Sequence, residues 1–284
     1  MLPVSVVTTS FNQARFLERT ILSVLEQNYP GLEYIVLDPG STDGSRAVIE
    51  RYRDRIAKVI FDPDCGPADG MNRAFANATG DIFAYLHSDD AFLPGAIQGA
   101  VDAFEARPGA DVIYAHGYIV DETDRILRRY RSTGFDLNRY LYGGVTVMEQ
   151  ATFFTRKAFL DVGGFNAATR CGFDGELLVR FARAGKSFHL VNENWGLFRI
   201  HPGSMTGSRS GDDGYHKLHR RLFREVMGRE PRRRDYVMQT AVRLEKWLRD
   251  PRSFAQGLRG RLLHASHGSL PRASIATRKD IGPV

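Results

Sequence analysis

Short apolar runs alternate with helical periodicities along the first half of this chain, and most runs end in a cluster of turn residues. Val4-Ser5-Val6-Val7-Thr8-Thr9 is rich in β-branched side chains and predicts a strand. After Ser10-Phe11-Asn12-Gln13, the spacing of Phe16, Ile21, Val24 and Leu25 predicts a helix, which Asn28-Tyr29-Pro30-Gly31 stops. Residues 32–37 predict a second strand, residues 38–44 a loop dense in turn formers, and residues 45–52 a helix. Two further strands are expected over 58–61 and 81–86, with a loop and helix over 66–77 between them. This alternation predicts a parallel sheet with helices on its faces. In such a sheet the loops leave the strands at one edge, so Ser10, Phe11, Asn12, Asp38, Asp69 and the pair Asp89-Asp90 are expected to converge on a cleft.

The second half is less regular. Residues 94–106 predict a helix, 111–115 a strand, 118–129 a hairpin or polar excursion, and 150–154 another strand. A short helix starts at Lys157 and is broken by Gly163-Gly164-Phe165; a longer one is expected over 173–184. Late strands are expected at 188–191 and 197–200. Past Lys217 the pattern is helical, with Leu218, Leu222, Phe223 and Val226 on one face, then a helix over 235–248 that packs Val242, Trp247 and Leu248 on the body. From about 268 onward large apolar residues become scarce, and a mobile end is expected.

Charge divides the chain. From Lys217 on it carries 17 Lys and Arg against 6 Asp and Glu, of 39 and 33 in all, so a mildly acidic body precedes a strongly basic extension. Such an extension suits an anionic membrane surface or nucleic acid. Cys65 and Cys171 stand far apart and in no metal-ligand spacing, which argues against a disulfide framework and fits a reducing cytosol. The N-terminus enters a strand pattern at once, without a signal peptide, and no apolar run is long enough for a membrane span. The expectation is a cytoplasmic protein able to rest peripherally on the inner membrane face.

No Gly-x-Gly-x-x-Gly follows the first strand and no P-loop motif occurs, which argues against a dinucleotide-dependent dehydrogenase and a P-loop enzyme. The acids at the loop edge offer another way to hold a nucleotide. A carboxylate such as Asp38 can accept the imino hydrogen of uracil or thymine, and Asp89 can accept from ribose hydroxyls. Asp90 can hold Mg²⁺ or Mn²⁺ bridging a diphosphate.

Six segments, in order, then carry a resemblance. They are residues 4–13; Leu37-Asp38-Pro39-Gly40-Ser41-Thr42-Asp43-Gly44; Gly66-Pro67-Ala68-Asp69-Gly70-Met71-Asn72-Arg73; 78–81 through Ser88-Asp89-Asp90; Phe173-Asp174-Gly175-Glu176-Leu177-Leu178-Val179-Arg180; and Phe198-Arg199-Ile200-His201-Pro202-Gly203-Ser204. Together they resemble family 2 glycosyltransferases over roughly the first 205 residues, with Pro39 standing where that family usually has glycine. The resemblance implies the GT-A fold, an α/β Rossmann-like mixed sheet flanked by helices, here over 1–210, followed by a basic helical C-terminal extension over 211–284. It implies an inverting, metal-dependent transfer of one sugar from a UDP- or dTDP-type nucleotide-sugar to a saccharide or lipid-linked acceptor hydroxyl, in surface-polysaccharide biosynthesis. Asp174 is then the general base, and Thr8, Thr9, Phe11, Asp38, Asp69, Arg73 and Asp89 bind the nucleotide-sugar. Asp90 and His201 hold Mn²⁺ or Mg²⁺.

Local readings stand beside these roles. Asp43 reads as a helix cap, and Glu176 as the partner of Arg180 one helical turn away. His87 is placed on the side away from Ser88 and left out of the site. Trp195 is left open between an acceptor platform and the core. Rival readings are a nucleotidyltransferase acting on sugar phosphates, or a non-catalytic carbohydrate-binding scaffold. Nucleic acid is not expected as a partner.

Overall fold

The computed structural model describes residues 1–204 and 212–249. Strands β1 (Val4–Thr9), β2 (Leu32–Leu37), β3 (Lys58–Ile60) and β4 (Ile82–His87) alternate with helices α1 (Ala14–Leu25), α2 (Ser45–Arg51) and α3 (Pro67–Phe75). The short strand β5 (Ala91–Phe92) and helix α4 (Ala96–Glu105) lead to the hairpin β6 (Val112–Val120) and β7 (Ile126–Tyr130). Then follow α5 (Leu137–Leu141), a 3-10 turn (Glu149–Ala151), β8 (Thr152–Thr155), α6 (Arg156–Asp161), α7 (Phe173–Arg183) and β9 (Phe188–Arg199). Helices α8 (Asp212–Met227) and α9 (Arg233–Arg249) close the described chain.

The strand order is β3-β2-β1-β4-β8-β6-β9-β5, with β7 paired to β6 off this path. The first four strands are parallel, as the alternation predicts. The whole sheet is mixed, because β8 runs antiparallel to both β4 and β6. The expected strands at 188–191 and 197–200 are one strand, β9, paired parallel to β6 and shifted in register near Tyr114 to Gly117. β5 is too short for periodicity to reveal; it is fixed by pairing with β9.

Period-two alternation sorts the side chains. Val4, Val6, Tyr34, Val36, Ala84 and Leu86 pack under α1, α2 and α4. Val7, Ile35, Leu37, Phe83 and Tyr85 face the other way, onto α3, α6 and α7 and their aromatic residues Phe75, Phe159, Phe165 and Phe181. On α8, Leu218, Leu222 and Phe223 are buried with Leu141 of α5 and Val179 of α7, so the expected apolar face does pack. Helix α9 differs from expectation. Val242 is buried, but Leu248 is 72% exposed. Leu248 lies on the solvent side because α9 is held by its other face, through Asp235 and Glu245. The expectation of a mobile end from 268 falls outside the described residues. Among the described residues no helix is long and apolar enough to cross a membrane.

Candidate active site

The loops after β1 and β2 are laced together at the carboxyl edge of the sheet. Asn12, in the left-handed region at φ 52°, donates its N–H to Ser41 Oγ at 2.8 Å and accepts from Thr42 N at 2.9 Å. Asp43 is a cap, but chiefly for the neighbouring helix: its Oδ2 accepts the first N–H of α1, from Ala14, at 2.8 Å, while Oδ1 holds Ser45. Pairing across two loops in this way fixes the rim of the cleft.

Asp38 sits fully buried at the end of β2. Its Oδ1 accepts from Gly40 N, Ser41 N and Arg46 Nε at 3.0, 2.8 and 3.1 Å. Its Oδ2 is buried with no partner, as is the hydroxyl of Ser10 at the adjoining end of β1. A buried polar atom without a partner is costly, so this floor is built to receive a ligand's polar edge. Ser10 is among the loop residues expected to converge on the cleft, and the structure puts it beside Asp38. Thr9 is at the open edge, in register with Leu37 and His87. Phe11 is 60% exposed on the rim. Thr8 does not face the cleft: it is buried, and its hydroxyl accepts from Tyr34 Oη at 3.0 Å beneath α1. Alternation along β1 places Thr8 on the opposite face from Thr9. Asp69 in the first turn of α3 and Arg73 in its last pair with each other at 2.8 Å, and Asp69 also accepts from Cys65 N.

The two members of the acidic pair sit in different surroundings. Asp90 is 2% exposed; Oδ2 accepts from Gln150 Nε2 at 2.7 Å and Oδ1 from Arg199 N at 2.9 Å. Burial, with Asp89 beside it, pushes its carboxyl well above the usual range. Each Asp90 oxygen already accepts one protein donor, so this carboxylate is held in place inside the turn. Asp89 is the open carboxylate, with Oδ2 3.1 Å from His201 Nε2. One carboxylate and one imidazole form a donor set that Mn²⁺ accepts. No group of three or more His, Cys, Asp or Glu gathers for a metal among the described residues, so further ligands would have to come from a bound diphosphate. Arg199 locks this turn: it donates to Asp89 O at 2.8 Å and Asp121 O at 3.0 Å, and pairs with Asp124 at 2.7 Å. Its guanidinium and the His201 ring both lie against Phe16.

Asp174 lies in the first turn of α7, half-buried, where helix N-terminal dipoles favour an anion. Beside it stands a residue that the sequence reading missed, Glu149, which hydrogen-bonds Asp174 and Tyr85 and pairs with His87 Nε2 at 2.9 Å. His87 therefore belongs to the site. It shares the sheet face of Tyr85, and that is the face onto which α7 packs. Burial, then the Glu149 charge, pushes Asp174 up to about 8. Burial opposes charge on Glu149 too, yet His87 and the hydrogen bonds to it hold Glu149 below the ordinary carboxylate range. Burial likewise opposes charge on His87, but Glu149 overcomes it and raises the imidazole to about 10. Tyr140 completes the wall, with its hydroxyl 2.5 Å from where a Cβ on Gly175 would lie, so only glycine permits that approach. Asp174, Glu149, Tyr140 and Gly175, with Tyr85, Val147, Thr152 and Phe154, line a small cavity of about 60 Å³. The adjacency of Met148-Glu149-Gln150 to the predicted strand was the only sequence signal for Glu149.

Two other readings are resolved. Trp195 is core: it is 1% exposed, edge-on to Phe153, and its Nε1 donates to Glu193. Glu176 pairs not with Arg180 but with Arg221 of α8 at 2.7 Å, and also accepts from Thr169 and Asn166. Arg180 instead donates to the carbonyls of Val162 and Gly164. Position four residues away offered Arg180; the tertiary fold brought Arg221 to the buried carboxylate.

A mixed sheet flanked by helices, with carboxylates gathered at its carboxyl edge, is the architecture of an α/β transferase. The chain belongs to glycosyl transferase family 2, whose family model matches residues 5–164. It is 34% identical over 184 residues to an uncharacterized glycosyltransferase of Mycobacterium tuberculosis, covering 63% of this chain and 68% of that one. It is 30% identical over 153 residues to the Bacillus subtilis glycosyltransferase TuaG, named for teichuronic acid biosynthesis, covering 51% of this chain and 61% of TuaG. The fold matches S. aureus TarS residues 1–349 with a TM-score of 0.64 at 16% identity, over 88% of this chain and 73% of that one. TarS has also been solved with UDP-GlcNAc. A Pyrobaculum calidifontis mannosyltransferase solved with GDP-Man and Mn²⁺ matches with a TM-score of 0.60 at 17% identity, over 95% of this chain and 77% of that one. The fold is GT-A, and the protein is a glycosyltransferase.

Proposed function

We propose that this chain transfers one sugar, with inversion, from a UDP- or dTDP-linked donor to a saccharide or lipid-linked acceptor hydroxyl in surface-polysaccharide assembly. The observation that carries the reading is the placement of Asp174, braced by Glu149, at the same sheet edge as Asp38 and Asp89. Asp38 Oδ2, buried and unpartnered, suits the imino N–H of a pyrimidine base. Asp89 and His201 would hold Mn²⁺ or Mg²⁺ against the donor diphosphate. The bound ion would supply positive charge to the departing phosphate.

The chain's own residues do the rest. Asp174 accepts the proton of the attacking acceptor hydroxyl as the new bond to the anomeric carbon forms and the bond to the diphosphate oxygen breaks. Attack from the face opposite the nucleotide inverts that carbon, with an oxocarbenium-like transition state. Glu149 and His87 fix the orientation of Asp174, and Asp90, held by Gln150 and Arg199, fixes the turn that presents Asp89. The metal role is given to Asp89 rather than Asp90 because Asp89 is the more open carboxylate and has the His201 imidazole beside it, whereas Asp90 is buried on Gln150 and Arg199. TuaG's name and the UDP-GlcNAc complex of TarS support the donor class and the polysaccharide setting.

The test is calorimetric titration of UDP, dTDP and GDP, with and without Mn²⁺, into the wild type, Asp38→Ala and Asp89→Ala. Metal-dependent binding of a pyrimidine nucleotide, lost in both variants, is expected. Absence of metal-dependent binding of any nucleotide would overturn the reading in favour of a non-catalytic scaffold.

A further inference from the structure

Among the described side chains, helix α9 is tied to the body along one side. Asp235 accepts from Tyr142 Oη at 2.9 Å and pairs with Arg229 at 2.6 Å. Val242 is buried and would meet a Cβ on Gly144. Glu245 pairs with Arg139 at 3.0 Å. The opposite side carries Val237, Ala241, Leu244 and Leu248, spaced four, three and four residues apart and therefore forming one stripe. Val237 is 70% exposed, Leu244 51% and Leu248 72%. Exposed arginines Arg232, Arg233 and Arg234 stand at the start of that stripe.

Charge says what covers it. Residues 232–249 hold six Lys and Arg and two acids, and both acids are already matched, Asp235 to Arg229 before the helix and Glu245 to Arg139 of the body. An apolar stripe headed by three exposed arginines repels a second copy of itself laid alongside in the same sense. It suits a surface that is apolar within and negative at its face.

We propose that α9 docks this protein on an anionic lipid surface, with Val237, Leu244 and Leu248 in the headgroup boundary and Arg232–Arg234 on the phosphates. The placement has a consequence for the active site. Helix α5 supplies Arg139 and is followed by Tyr142, the two anchors of α9, and it also carries Tyr140, which packs against Gly175 beside Asp174. Docking through α9 thus brings the base's cavity toward the lipid. This further step rests on the transferase reading above and on an acceptor that is lipid-linked.

Vesicle co-sedimentation of the full chain tests the docking without any turnover. The probes are phosphatidylcholine vesicles with and without phosphatidylglycerol, at low and high salt. The variants are Leu244→Glu with Leu248→Glu, and Arg232, Arg233 and Arg234 all changed to Gln; nucleotide binding by calorimetry checks that each is folded. Binding to the anionic vesicles alone, weakened by salt and reduced at least about tenfold in both variants, is expected. Equal binding to neutral vesicles, or no binding, overturns the proposal. So does unchanged vesicle binding when the leucine variant shifts the sedimentation mass from dimer to monomer, which would assign the stripe to a second copy. Tight binding to duplex DNA that only the arginine variant abolishes would also overturn it. Failure here leaves nucleotide binding untouched, so it is separable from failure of the transferase reading.

Discussion

Three side chains, Asp174, Glu149 and His87, set the chemistry of the proposed reaction through one line of hydrogen bonds. Asp174→Asn keeps the shape but loses the base, so turnover should fall by roughly 10²–10⁴-fold with donor affinity unchanged by calorimetry. A base whose conjugate acid titrates near 8 should give kcat/KM an acid limb near that pH, with activity rising as the carboxyl ionises. Glu149→Gln removes the negative neighbour that helps hold the proton on Asp174, so the limb should move to lower pH. A pH–rate profile checks both, and an unmoved limb would assign it to another group. The same shift has a stability sign. Asp174 binds its proton more tightly folded than unfolded, so its contribution to stability declines as pH rises from about 4 toward 8. Thermal denaturation of Asp174→Asn should show less of that decline than the wild type.

At the scale of elements, the site is carried by a close crossing. Gly117 of β6 and Gly196 of β9 are in register. A Cβ on Gly196 would fall 2.6 Å from Gln150 O, and one on Gly117 2.1 Å from Gly196 O. Only glycine at both lets the 3-10 turn lie across these strands, and that turn presents Glu149 to Asp174 and Gln150 to Asp90. Gly196→Ala should therefore lower kcat by about tenfold or more, as expected when supporting geometry is displaced, while the far-ultraviolet circular dichroism stays that of the wild type. A wild-type kcat in a folded Gly196→Ala protein would show that the turn does not position the base.

Across the whole molecule, α8 is part of the structural support of the catalytic half. Phe223 is fully buried against α5 and α7, so Phe223→Ala should cost about 3–5 kcal/mol in a denaturation experiment. Arg221 reaches from α8 to Glu176, two residues after Asp174 in the first turn of α7. Losing α8 leaves that buried carboxylate without its cation. Activity should consequently fall together with stability in Phe223→Ala, and donor binding at Asp38, on the far side of the sheet edge, should fall less.

The sequence alone determined the parallel strands β1 to β4, the helices between them and the acids at their ends, because period-two and helical periodicities are local and strand–helix alternation constrains connection geometry. It also determined the basic character of the extension and the apolar face of α8. Tertiary structure decided what needed partners distant in the chain. The antiparallel insertion of β8, the single long β9 and the short β5 depend on pairing, which no local pattern encodes. Thr8 and Thr9, equal as letters, were separated by the sheet's two faces. Adjacent Asp89 and Asp90 were separated by Gln150, Arg199 and His201, which arrive from later strands and loops. Glu149 and His87 joined Asp174 only when β4, the 3-10 turn and α7 met. Carboxylates take their roles from burial and from the donors and charges around them, and the tertiary fold sets all of these.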